Sequence, residues 1–215
     1  MSSYRRPSIV ASVFHDAGGQ IIDYGNRWSG SPPDEAYSVD THPERFAPLH
    51  TVADALIAHL RATYDVRITE GEEAAGDLLR AAPESLRAVR LQPNDPACAA
   101  LTFVFTVYPG IFLHAGLLHD FHYPVCGCDA CDSNWTTEAD LLEQQVLAVV
   151  TGHYREGIED GPQPWVEYAF TYPDGTNSGR SRAEEIPAER FESAKPILGN
   201  LAEGWAPWPQ RALNS

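Results

Sequence analysis

Apolar residues change their period along this chain, and each change marks a structural element. Phe46, Leu49, Val52, Leu56 and Leu60 recur at three- and four-residue spacing, which predicts one amphipathic helix. Thr41-His42-Pro43-Glu44 opens it, with Thr41 as N-cap acceptor, Glu44 reaching back and proline in the first turn. Pro48 bends that first turn or restarts the helix. A shorter helix is predicted over Glu72–Ala82. The period then falls to two. Leu86–Leu91 reads as a strand, and a proline-rich loop carrying Cys98 follows it. Leu101, Phe103, Phe105 and Val107 alternate with Thr102, Val104, Thr106 and Tyr108. After a Pro109-Gly110 turn, Ile111, Leu113, Ala115 and Leu117 alternate with Phe112, His114 and Gly116. Both faces are apolar, so these are expected to be central strands of a sheet covered on both sides.

A second long helix is predicted over Thr137–Glu156, with Thr137 and Asp140 at capping-box spacing and Leu142, Val146, Val149 and His153 along one side. Trp165–Tyr172, a Pro173-Asp174-Gly175 turn and Thr176–Arg182 form a hairpin. Ile186–Asn200 is helical in pieces. Ahead of all this, residues 1–40 are rich in Pro, Gly and Ser; Ser8–Phe14 and Gln20–Tyr24 flank Asp16-Ala17-Gly18-Gly19 as a small hairpin. The expected architecture is α+β: a mainly antiparallel sheet, two principal helices and a zinc-stapled loop joining sheet to second helix. Residues 41–200 form the single α+β domain, 1–40 an N-terminal loop-rich segment and 201–215 a Trp/Pro-rich tail that packs back on the body.

Charge narrows the partners. The 215 residues carry 15 Lys+Arg against 30 Asp+Glu, a net charge of −15. Such a field repels phosphate backbones and anionic lipid, so neither nucleic acid nor a membrane is expected as partner. A basic protein or a small ligand suits it better. Ala99–Leu118 carries no Asp, Glu, Lys or Arg, but its central Pro-Gly and its period of two make it a hairpin rather than a membrane span. The basic start of the chain is followed by no apolar h-region, so no secretory leader is predicted and a cytoplasmic location is expected. There thiols stay reduced, and clustered cysteines hold metal more often than they form disulfides.

Cys126-Gly127-Cys128-Asp129-Ala130-Cys131 is such a cluster. A tight loop wraps three thiolates around one ion, Gly127 supplies unusual backbone angles and the two-residue gap matches common zinc spacing. Structural Zn²⁺ is the expected cofactor. A closed site needs a fourth ligand, for which His119, His122, His114 and Cys98 compete. His119 is favoured because it stands where strand gives way to loop, seven residues before Cys126. The competing readings are free thiols, an iron–sulfur site using Cys98, and a strained Cys126–Cys128 disulfide.

Two runs, Thr41-His-Pro-Glu-Arg-Phe-Ala-Pro-Leu-His50 and Tyr123-Pro-Val-Cys-Gly-Cys-Asp-Ala-Cys-Asp132, resemble an uncharacterised bacterial family of unknown function over roughly 41–180. The resemblance implies a unified domain and a histidine before the cysteines at the spacing of His119; it carries no activity. The chief enzymatic alternative is a zinc-dependent hydrolase of deaminase type, which pairs His-x-Glu with Pro-Cys-x-x-Cys. His42-Pro43-Glu44 and Cys128-Asp-Ala-Cys131 supply fragments of both. They stand far apart in sequence, Pro124 does not adjoin the relevant Cys, and Cys126 adds a third thiolate. No phosphate loop, nucleophile elbow or paired-carboxylate signature is present. The expected function is a zinc-stabilised binding or regulatory module without catalytic residues.

Overall fold

The computed structural model describes residues 4–10, 12–81, 84–201 and 203–212. The period-two segments become a five-stranded antiparallel meander in chain order: β1 (Val66–Glu70), β2 (Ser85–Pro93), β3 (Leu101–Thr106), β4 (Gly110–Ala115) and β5 (His119–Tyr123). The register sets Phe103 opposite Leu113 and Leu113 opposite Phe121. Leu101, Phe103, Phe105, Ile111 and Leu113 therefore share one face, which joins the main core. Val104 and Ala88 lie on the other face and are buried with Ala74 and Leu78 in a small second cluster. Every residue of β3 is buried, as its two apolar faces require.

The main face is covered by α1 (Pro48–Thr63) and α3 (Trp135–Val150), the two principal helices of the α+β fold. Leu49, Val52, Leu56 and Leu60 of α1 and Leu142, Val146 and Val149 of α3 have no exposed surface. A short helix α2 (Glu72–Ala75) sits against the opposite face, and α4 (Ala188–Leu198) follows a second antiparallel sheet of β6 (Tyr154–Glu159), β7 (Trp165–Tyr172) and β8 (Gly175–Arg182). The tail belongs to the core: Trp205 and Trp208 are 5% and 3% exposed, and Trp208 Nε1 donates to Ala99 O at 2.8 Å.

Several expected boundaries moved. Pro43–Phe46 is a separate 3-10 turn, and α1 starts afresh at Pro48. Thr41 caps nothing; its hydroxyl donates to Asp129 Oδ2, while Glu44 bonds the His42 ring at 3.1 Å. Tertiary partners outcompeted the local capping box. The helix predicted over 72–82 keeps only its first turn, and Ala82 lies outside the described residues. Asn134, not Thr137, caps α3, accepting from Thr137 N at 2.9 Å. That helix ends at Val150 because Gly152 turns at φ 77° with the Pro207 backbone against it, so Tyr154–Glu159 is a strand. The N-terminal hairpin reduces to a turn and one His15–Ile21 bridge among the described residues, Ala11 lying outside them. Strand β1 was not foreseen.

Candidate metal centre

The loop between β5 and α3 is short of apolar residues, so hydrogen bonds must shape it. The N-terminal part of the chain supplies them. Asp129 N donates to Val39 O at 2.7 Å and Ala130 N to Ala36 O at 3.0 Å. Trp28 Nε1 donates to Asp129 O at 3.2 Å, and Arg27 N to Asp132 Oδ2 at 2.8 Å. Arg45, 3% exposed, is the principal clamp: it donates to Gly127 O at 2.6 Å, His42 O at 3.0 Å and Ser133 O at 3.4 Å. Its guanidinium and that of Arg27 lie 3.8 and 3.7 Å from the buried Asp129 carboxylate. From α3, Glu138 accepts from Val125 N at 3.0 Å.

This scaffold gathers Cys126, Cys128 and Cys131, whose sulfurs all lie within 4.8 Å of one another and could hold a metal ion. Cys126 and Cys128 Sγ are 3.4 Å apart, too far for a disulfide and close to the roughly 3.8 Å edge of a tetrahedron with Zn–S bonds of about 2.3 Å. A hydrogen bond from the backbone of Cys131 is the main reason the Cys128 thiol is held below its usual range, against some burial; the Cys126 and Cys131 thiols and the Ser38 backbone add to it. Cys131 is pushed up to about 12 by the thiols of Cys126 and Cys128.

Gly127 is needed, but for a different reason from the one expected. It does not adopt the left-handed region; a Cβ there would fall 1.8 Å from the Tyr108 hydroxyl. The left-handed residue of the loop is Asp132, at φ 51°.

His119 is placed elsewhere. Its Nδ1 lies 2.8 Å from Glu156 Oε1, at the end of β5 opposite Ala115, whereas the cysteine loop leaves the other end beyond Tyr123. Four strand residues separate the two ends by about 13 Å. The rival ligands are engaged or remote as well. His114 Nδ1 is 2.7 Å from Asp120 Oδ1, the His122 ring lies edge-on to Phe112, and buried Cys98 donates to Pro207 O at 3.4 Å. Burial pushes the Cys98 thiol up to about 11, with Asp95 adding to it, so it stays protonated. Among the described residues no His, Asp, Glu or fourth Cys joins the three-thiol group. His42 and Glu44, the deaminase fragments, bond each other outside it.

Sequence reasoning missed Arg45 and Asp129, since charged residues carry no periodic signal and their burial arises only once the two runs meet. The fragments around Thr41–His50 and Tyr123–Asp132 are far apart in sequence and adjacent in space. No helix is long and apolar enough to cross a membrane, again among the described residues.

A family model described as a family of unknown function, DUF6226, matches residues 10–212, and the chain belongs to that family. No curated protein and no solved structure matches the chain.

Proposed function

We propose that this member of the family is a metal-stabilised binding module, in which Cys126, Cys128 and Cys131 hold one zinc ion that fixes the 124–134 loop against residues 27–45. The carrying observation is the mutual approach of the three sulfurs within 4.8 Å on a loop already bonded from two sides. Zinc fits the donor set: it accepts three soft thiolates without demanding redox chemistry or a rigid d-electron geometry. When bound, it would supply cross-linking of a polar loop that cannot bury enough apolar surface to hold itself. Arg45, Arg27 and Asp129 do the positioning, tying the loop backbone to residues 27–45 while the sulfurs converge on one point. The −15 charge suits a basic protein partner and disfavours nucleic acid.

Zinc analysis with X-ray absorption on protein purified anaerobically, or refolded with zinc, is expected to give about one ion per chain with three sulfur neighbours. Protein that retains none after such refolding sinks the reading. One observation keeps the hydrolase in play: three protein ligands and a water are the usual catalytic set. Three thiolates nevertheless leave the site net negative, which weakens a Lewis acid. A fourth scatterer that exchanges with added ligand would favour the hydrolase; an inert one favours the module.

A further inference from the structure

A single carboxylate organises the turn between β4 and β5. Glu156 of β6 has a fully buried side chain and accepts from Leu117 N at 3.0 Å, Leu118 N at 2.8 Å and Trp205 Nε1 at 3.0 Å. Gly116, at φ 70°, makes room for it: a Cβ there would sit 1.9 Å from Glu156 Oε2. Such a set of pure donors suits an ionised carboxylate, whose fourth partner is the His119 ring at 2.8 Å. Nδ1–H of His119 then faces the carboxylate, and Nε2 is left as the ring's other polar atom.

Among the described residues nothing hydrogen-bonds His119 Nε2, which is buried on a side chain only 8% exposed. A turn staple needs Nδ1 alone; the ring's other neighbours are Tyr168 and Phe121, with centroids 5.1 and 6.4 Å away, and neither offers Nε2 a hydrogen bond. The ring lines a cavity of about 500 Å³ where β5, the last strand of one sheet, meets β8, the last strand of the other. Arg80 and Arg180 also line it, and their ion pairs are loose: 3.6 Å to Glu185 and 3.9 Å to Glu159, on largely exposed side chains. The Arg80 guanidinium can therefore turn to a ligand at little cost, while that of Arg180, which also lies over the Trp165 ring at 4.7 Å, gives up that contact if it turns. Phe112 and Tyr168 give the same cavity aromatic walls.

We propose that this cavity binds a small aromatic or aliphatic hydroxy-carboxylate, whose hydroxyl, able both to donate and to accept, pairs with His119 Nε2 while Arg80 and Arg180 hold its carboxylate. The lining disfavours two other ligand classes. Asp120 and Glu185 repel a phosphate dianion more strongly than a single carboxylate. A metal ion would need at least two further ligands beside His119, and among the described residues no group of three His, Cys, Asp or Glu side chains gathers there. The site is independent of the thiol loop.

Two probes that differ only in the hydroxyl isolate the claim: 3-phenyllactate and 3-phenylpropionate, titrated into full-length protein and followed by amide NMR. 3-Phenyllactate is expected to saturate shifts around His119 and Tyr168, binding about tenfold more tightly than 3-phenylpropionate. His119→Asn keeps a donor for Glu156 but removes Nε2, and should erase that preference while thermal stability stays near wild type. Arg180→Gln, outside the turn, should weaken both probes and leaves a test standing if the His119 variant fails to fold. The proposal is overturned if neither probe gives saturable shifts, if both bind equally, if His119→Asn retains the preference, or if inorganic phosphate binds the cavity more tightly than 3-phenyllactate.

Discussion

Glu156 is the residue with most at stake in one side chain. Burial pushes its carboxyl up, yet the hydrogen bond and charge of His119, with the Leu118 N–H, more than offset that and hold it below the ordinary carboxylate range. A depressed folded-state value means that the unfolded chain binds the proton more readily. The stabilisation is thus fully present above the ordinary carboxylate range and is lost as pH falls through the lower, folded value. In Glu156→Gln the amide cannot accept from all four donors, and the variant should lose about 3 kcal/mol at neutral pH. Urea melts of both proteins from pH 7 downward check this: the gap should narrow on acidification, and a gap independent of pH would mean that Glu156 is not ionised in the fold.

Between elements, the decisive contact is the docking of the Pro43–Phe46 turn on the cysteine loop. Arg45 makes it, with its guanidinium also over the rings of Tyr24 and Phe46 at 4.3 and 4.5 Å. A buried guanidinium among three carbonyls and a carboxylate is costly to install and costlier to remove. Truncation leaves Gly127, His42 and Ser133 carbonyls without this donor and reduces Asp129 to Arg27 and Thr41. Arg45→Ala should destabilise by about 3–5 kcal/mol and loosen metal retention together. Parallel denaturation and competition against a chromogenic chelator test the pairing of the two losses; a variant that loses stability but retains the metal unchanged would uncouple clamp from site.

For the whole molecule, the thiol loop is peripheral to the core. The cluster of Phe46, Leu56, Phe103, Leu113, Val146 and Phe170 closes without any cysteine of the loop, and both sheets pair independently of it. Chelation should therefore loosen 124–134 together with 27–45, the segment whose hydrogen bonds the loop receives, and leave the meander protected. Hydrogen exchange with and without chelator is expected to show raised exchange in those two stretches alone. Global loss of protection would make the metal a folding requirement instead.

Local physics was enough for the elements whose signal repeats within their own length. Alternating apolar residues on 101–117 with a Pro-Gly turn, and the 165–182 hairpin around Pro-Asp-Gly, became β3, β4, β7 and β8 because a strand's side-chain period is local. Spacing put the three thiols on one short loop, but five extended residues span about 17 Å, and their approach within 4.8 Å needed the bonds from Ala36, Val39 and Arg45. Contacts across long sequence separation were decided only in the tertiary structure. His119 looked like a ligand from its nearness to Cys126 along the chain, but β5 is extended and carries it a strand's length away, to a carboxylate from β6. Glu156 itself read as the end of a helix until Gly152 and the returning tail stopped α3 at Val150. Arg45 and Asp129 became a buried pair only when two distant runs docked. Buried charges are chosen by their partners, and those partners are chosen by the fold.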